Sequence, residues 1–470
     1  MVARLVVAGV SSGVGKTTVT VGLMRALRRR GLRVAAFKCG PDYLDPTYHT
    51  RAAGQVSHNL DGWMMGKRAV LDTFSTAAAG AEIAIIEGVM GLFDGASPTS
   101  DAGSSAEIAK WLAAPVLLVA DAGGMARSIA ALARGFSEFD PELRVAALAC
   151  NRVGSASHLE LLRGALGSSL PLLGGLQKRP DLAFRERHLG LRTADAESVP
   201  EALLERWADE VEHGFDLNAL LELARSAPAL PEPEPELATT AALPSRCRIG
   251  VALDAAFHFY YADNLRRLEQ LGAELCYFSP LAASELPDVD GLYFGGGYPE
   301  LHAAQLAANA GLRTAIAQFA ERGRPVYAEC GGLMYLVDAI RTLDGQRHAM
   351  VGCLRGEAVV RERLVALGYV DVETRSPSLL GPSGLRFRGH QFRYSELLGA
   401  PEGSAYLLHQ RRGGEPLLEG YQSGSVLGSY VHAHWASNPA AAASFVEACA
   451  AQRRPLAPAR LLDPINESIE

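Results

Sequence analysis

Short apolar runs separated by amphipathic stretches organise the first half of the 470-residue chain: Leu5–Ala8, Val34–Phe37, Ile83–Ile86, Val116–Ala120, Val145–Cys150 and Leu170–Leu173. None of them alternates with polar positions. Each therefore predicts a strand buried on both faces, as in a mostly parallel sheet covered by helices. The pattern restarts at Ile249–Leu253, Leu275–Phe278, Gly291–Phe294 and Val326–Ala328. No sequence repeat accompanies the restart, so the halves read as two α/β domains rather than a duplication. Between them Ser226–Arg246 reads SAPALPEPEPELATTAALPSR, where proline denies the backbone regular hydrogen bonding and glutamate keeps it solvated, as in a semi-rigid linker. The predicted organisation is a first domain over 1–225, a linker over 226–246 and a second domain over 247–470. A length prior of about 150 residues per domain agrees.

Composition narrows the class of function. Apolar residues at 48% and charged residues at 21% are ordinary for a globular protein. The net charge of −7 offers no basic footprint, so nucleic acid is not an expected partner. The seven cysteines are odd in number, scattered and free of any C-x-x-C pair, which predicts neither a disulfide framework nor a zinc site but a reducing compartment. No apolar run approaches the ~20 residues of a membrane span, and the first strand begins at Arg4 with no room for a signal peptide. A cytoplasmic protein with no membrane partner is expected. Homodimerisation is left open.

Two segments carry chemistry. Gly9–Thr18 (GVSSGVGKTT) follows a predicted strand and opens a helix, the context in which successive backbone N–H groups and a helix N-terminus hold phosphate. Ser12, Gly13, Gly15, Lys16, Thr17 and Thr18 form the expected nucleotide loop, with Lys16 reaching the β/γ-phosphates and Thr17 on Mg²⁺. The spacing from Gly9 to Gly15 is one residue longer than in the common phosphate loop and resembles the dethiobiotin synthetase type. A glycine-rich turn without nucleotide would leave the Lys-Thr-Thr unexplained. Asp42 and Glu87 stand at strand ends, where ligands of an open parallel sheet bind, and are candidate Mg²⁺ holders with Thr17; solvated loop acids are the alternative. Asn151, after the strand VAALAC, is placed to meet an adenine edge or to cap a turn.

The second segment is Tyr327–Gly332 (YAECGG), a strand leading through a tight turn into a helical LMYLVDAI. Glycines beside Cys330 predict a strained turn that presents its sulfur as a nucleophile, with the helix N-terminus expected to lower the thiol pKa. Gly331 and, across the site, Gly296 in Gly295-Gly296-Gly297 are candidate oxyanion donors. His432 is the candidate base and His434 its competitor. A buried, inert thiol is the ordinary state of most cysteines, and the other six read that way.

Together with FKCGPDYLDPTYH, NLDGWMM, EGVMGLFDG, RHLGL, FGGGYPEL, AECGGLMYL, GHQFRYS and SYVHAHW, these segments resemble one family along nearly the whole chain. It is the cobyrinic acid (or hydrogenobyrinic acid) a,c-diamide synthases, glutamine-dependent enzymes of corrinoid biosynthesis. The resemblance implies a dethiobiotin-synthetase-like domain that activates carboxylates with ATP and Mg²⁺, and a class I glutaminase domain that supplies ammonia. It implies that Asp42, Tyr43, Leu44, Asp45, Glu87 and Asp94 line the ATP, Mg²⁺ and substrate region, with Tyr43, Leu44, Asp45 and Asp94 toward the substrate. Cys330 is the implied nucleophile and His432 its base. The broader class has an acid two residues after that histidine, where this chain has His434, so the pair looks like a dyad. The related GHEFHYS motif appears as GHQFRYS, with Gln391 and Arg393 substituted.

The expected reaction is amidation of the a and c acetate carboxylates of a corrin ring, through an acyl phosphate and glutamine-derived ammonia. Its partners are the corrinoid, glutamine and ATP. Arg185, Arg187 and His188 could meet a polycarboxylate, or form a solvated basic loop. Two rivals stand: the same chemistry on another tetrapyrrole, as in nickel-sirohydrochlorin a,c-diamide synthase, and a noncatalytic nucleotide switch.

Overall fold

The computed structural model describes residues 2–182, 199–230, 245–400 and 403–453. Arg185, Arg187, His188 and the linker positions 231–244 lie outside the described residues.

In the first half, strands β1 (Ala3–Gly9), β2 (Val34–Cys39), β3 (His58–Leu60), β4 (Ile83–Glu87), β5 (Val116–Asp121), β6 (Val145–Val153) and β7 (Leu172–Gln177) form one parallel sheet in the order β3-β2-β4-β1-β5-β6-β7. The run Leu170–Leu173 enters the sheet late because Pro171 has no N–H for the ladder. Strand periodicity explains the unbroken apolar text. Leu5 and Val7 face a core shared with helices Lys16–Arg29 and Glu201–Gly214, while Val6 and Ala8 face a second core under Ser105–Trp111 and Ser128–Glu138.

In the second half, β8 (Cys247–Ala252), β9 (Ala273–Phe278), β10 (Gly291–Phe294) and β11 (Val326–Glu329) run parallel in the order β9-β8-β10-β11, and Val426–Ser429 adds to β11 in the same sense. From there the sheet continues antiparallel through Leu417–Ser423, Ser404–Gln410, Ala366–Thr374 and Arg386–Arg393 to His432–His434. That return path brings His432, far along the chain, beside the loop after β10.

The last described helix of the first half ends at Arg225 and β8 begins at Cys247. The halves touch through specific polar contacts. Thr73 Oγ1 donates to Asp263 at 3.0 Å, Tyr369 OH donates to Asp61 at 2.7 Å, and the Arg388 guanidinium lies 4.8 Å over the Trp63 ring. Among the described residues no helix is long and apolar enough to cross a membrane.

Candidate active sites

At the carboxyl end of β1 the loop turns through Gly15, with φ of 92°, into the helix Lys16–Arg29. A methyl group on Gly15 would fall 1.9 Å from Asn151 Nδ2, so both conformation and space demand glycine there. A cavity of ≈ 840 Å³ opens over the loop, lined by Ser12, Gly13, Gly15, Lys16, Thr17, Thr18 and Asn151. Asn151 spends its amide on the loop, donating to Val14 O at 2.9 Å and accepting from Arg152 N at 2.9 Å. That bonding braces the loop at the wall of the cavity. The far wall brings in residues the sequence did not single out, among them Arg152, Lys178, Trp207 and Glu210.

Next to Lys16 lies a dense charge cluster. Thr17 Oγ1 donates to Glu87 at 2.8 Å and more weakly to Asp45 at 3.4 Å. Lys38 Nζ sits between the same carboxylates, 2.6 Å from Asp45 and 2.9 Å from Glu87, and His49 Nε2 is 2.6 Å from the other Glu87 oxygen. Burial works to raise the Glu87 carboxyl, but Lys38 and then His49 outweigh it and hold that group below the usual carboxylate range. Asp45 is pushed up to about 6, by burial first and Asp42 next. Lys16 is lowered, by burial first and then by Lys38. A hydroxyl and carboxylates beside a phosphate-binding lysine are the hard oxygen donors that Mg²⁺ takes together with phosphate oxygens and water, so this donor set fits the ion.

The resemblance groups Asp42 to Asp45 together; the structure separates their tasks. Asp42 lines the cavity, but its Oδ1 accepts from Leu44 N at 2.8 Å and Asp45 N at 3.0 Å and so shapes the turn that delivers Asp45. Leu44 is buried in the core and offers a substrate no side-chain surface; the direct contact expected of it is corrected to anchoring the loop. Asp94 accepts from Gly91 N at 3.0 Å in the turn beside Lys16 and is not among the residues lining the cavity. Tyr43 points the other way, its ring 5.0 Å from Phe259, 4.6 Å from Tyr261 and 5.0 Å from His432.

Cys330 sits between β11 and the helix Gly331–Leu336 at φ 46° and ψ −103°, a conformation rare outside glycine and typical of nucleophile turns. Cys330 N donates to Ser429 O at 2.7 Å, and a methyl on Gly332 would meet Phe294 O at 2.4 Å, so the parallel neighbours of β11 over-determine the turn. The expected lowering of the thiol pKa is overturned. Burial, and then Glu300, push it up to about 12, and a six-residue helix does not offset that. Alkylation of Cys330 by iodoacetamide is accordingly expected to be slow at pH 7 and to rise about tenfold per pH unit to at least pH 10, because only the thiolate reacts. Peptide mass spectrometry of that cysteine reads it; a plateau near pH 7 would mean a thiolate already formed.

The oxyanion assignment also shifts by one residue. Gly296 N–H is spent on Phe259 O at 3.3 Å, and Gly295 N–H on Tyr260 OH at 2.8 Å. Gly297 faces the Cys330 cavity, and its N lies 3.0 Å from where a Gly331 methyl would stand. Its φ of +153° and a blocked methyl position, 2.1 Å from Ala256 O, admit only glycine. Gly297 and Gly331 are therefore the candidate donor pair.

A methyl on Gly296 would lie 2.4 Å from His432 Cε1, which places that histidine against the same turn. Burial, and then His390, lower His432 to about 3, so the imidazole is neutral here. Among the described residues no carboxylate bonds to it. Glu329 Oε1 instead accepts from Ala433 N at 3.1 Å and Tyr327 OH at 2.8 Å, and burial pushes Glu329 up to about 8. The His434 ring packs tilted against Tyr261, with centroids 4.6 Å apart.

Residues 5–189 match the CobQ/CobB/MinD/ParA nucleotide binding domain and residues 248–440 the CobB/CobQ-like glutamine amidotransferase domain. A cobyrinate a,c-diamide synthase of Leptospira interrogans is 51% identical over 449 residues, covering 95% of this chain and 98% of that protein. One of Syntrophotalea carbinolica is 50% identical over 453 residues, again 95% and 98%. A solved glutamine amidotransferase, 20% identical with a TM-score of 0.32, covers 43% of this chain and 98% of its own, too loose a likeness to add to the argument. The chain belongs to the cobyrinate a,c-diamide synthase family, the glutamine-dependent amide ligases of cobalamin biosynthesis.

Proposed function

We propose that the two centres divide the reaction: ATP activates the a and c acetate carboxylates of cobyrinic or hydrogenobyrinic acid at Lys16 and Thr17, and Cys330 with His432 supplies ammonia. The observation that carries this reading is the turn Asp42–Asp45, which delivers Asp45 to Thr17 and Tyr43 to His432. A carboxylate is a poor acyl donor because oxide leaves poorly. Phosphoryl transfer to it releases ADP and converts the leaving group to phosphate, which ammonia then displaces. Lys16 and the backbone N–H groups of the loop would offset charge on the transferred group. Thr17, Asp45 and Glu87 would hold Mg²⁺, with Asp42 at its edge; the ion would neutralise charge on the phosphates.

In the second half, Cys330 Sγ would attack the glutamine carboxamide as His432 takes the thiol proton and passes it to the departing nitrogen. Water then releases glutamate from the thioester. Gly297 and Gly331 N–H would bind the oxyanion. The division at 226–246 leaves the seven-stranded sheet in the first half and the ten- and four-stranded sheets in the second, and the seven free thiols support a cytoplasmic setting. Amide formation on cobyrinic acid from ATP and ammonium is expected to stop when EDTA removes Mg²⁺ and to return with it, while glutamine hydrolysis continues through both. Hydrolysis that stops together with amidation would contradict the division of labour.

A further inference from the structure

Beside Cys330 lies a narrow cavity of ≈ 30 Å³ walled by Gly297, Glu300, Met334, Phe392 and Arg393. Thiol catalysis as described uses neither charge. Yet Glu300 Oε2 and Arg393 Nε are both buried without a hydrogen-bond partner among the described residues, and no ion pair joins the two there. Burial without a partner is costly for either group, so each can take a partner that arrives. Arg393 is held for the purpose: Nη1 donates to Ser395 O at 2.6 Å and the guanidinium lies 4.3 Å over the Tyr430 ring, leaving the Nε edge free. Both line one cavity with Cys330, where Glu300 raises the thiol pKa and Arg393 lowers it.

We propose that these two side chains grip the amino-acid end of glutamine, Arg393 on the α-carboxylate and Glu300 on the α-ammonium, and so place the carboxamide over Cys330. The inference rests on the glutaminase reading above. Two methylenes separate the carboxamide of glutamine from a carbon bearing one positive and one negative group; the cavity, with room for about two waters as it stands, has to widen to take that end. Burial pushes the Glu300 carboxyl up to about 7, and an arriving ammonium would hold it ionised. Arg393 is also where GHQFRYS departs from GHEFHYS.

The test uses two reagents for the same sulfur. 6-Diazo-5-oxo-L-norleucine carries the amino-acid end of glutamine; iodoacetamide carries no charge. For the full chain with Arg393→Met or Glu300→Gln, the ratio of the two Cys330 modification rate constants is expected to fall at least about thirtyfold toward iodoacetamide. Arg393→Lys, which keeps the charge, is expected to recover part of that ratio. A ratio unchanged in both variants would overturn the inference, since the side chains would then act on the thiol or the fold alone. Failure of the wild type to react with the diazo reagent, while iodoacetamide reaches Cys330, would instead overturn the glutaminase reading.

Discussion

Cys330→Ala is expected to abolish amidation from glutamine, by at least about 10⁴-fold, while amidation from ammonium salt persists. Free amide does not release ammonia at a useful rate, and no other described cysteine stands in a strained turn: among non-glycine residues with positive φ, Cys330 is the sole thiol. The parallel neighbours on β11 hold the turn through backbone bonds, so losing the sulfur leaves its frame in place. Initial rates with each nitrogen source, on the same preparation, read the effect. Loss of both activities would mean that the thiol serves the fold or the first centre. Retention of the glutamine rate would mean that another group is the nucleophile.

Lys16→Met is expected to do the converse, removing at least about 10³-fold of amidation from either nitrogen source while glutamine hydrolysis remains measurable. Lys16 Nζ is held by carbonyls, at 3.2 Å from Ser11 O and also at Met90 O, and is not ion-paired among the described residues, unlike Lys38. Its charge is kept available for phosphate. Burial and Lys38 already press its pKa down, so an incoming phosphate relieves strain that methionine never carries. ADP release and glutamate release, followed in parallel, separate the two centres. A variant that still amidates with ammonia at the wild-type rate would remove Lys16 from the phosphoryl step.

What could be read from the sequence and what could not divide along a physical line. Strands buried on both faces announce themselves because every position is apolar, as in Ile83–Glu87 up to its terminal acid. The phosphate loop and the Cys330 turn were equally visible, since each needs glycines at positions where backbone approaches backbone. The antiparallel half of the second sheet is not announced by an apolar run. Ala366–Thr374 reads ALGYVDVET, where exposed and buried positions mix and no apolar run stands out. Properties set by tertiary pairing were hidden as well. Nothing in Gly295-Gly296-Gly297 tells which N–H is already bonded, and nothing in PDYLD tells that Tyr43 crosses to His432 while Asp45 stays with Thr17. The thiol pKa failed for the same reason. A helix N-terminus is legible, but the burial that outweighs it is not. Glu300 was legible only as part of FGGGYPEL, and Arg393 only as a departure from GHEFHYS.

The central claim is that one chain phosphorylates a corrin carboxylate and displaces the phosphate with nitrogen taken from glutamine. The most direct test is a doubly labelled single reaction: cobyrinic acid with ¹⁸O in its carboxylates, glutamine with ¹⁵N in its amide, ATP and Mg²⁺, with product and phosphate analysed by mass spectrometry. The account predicts one ¹⁵N gained in the corrin for each ¹⁸O found in inorganic phosphate, through both amidations. Unlabelled phosphate, or ¹⁸O carried into AMP, would contradict it.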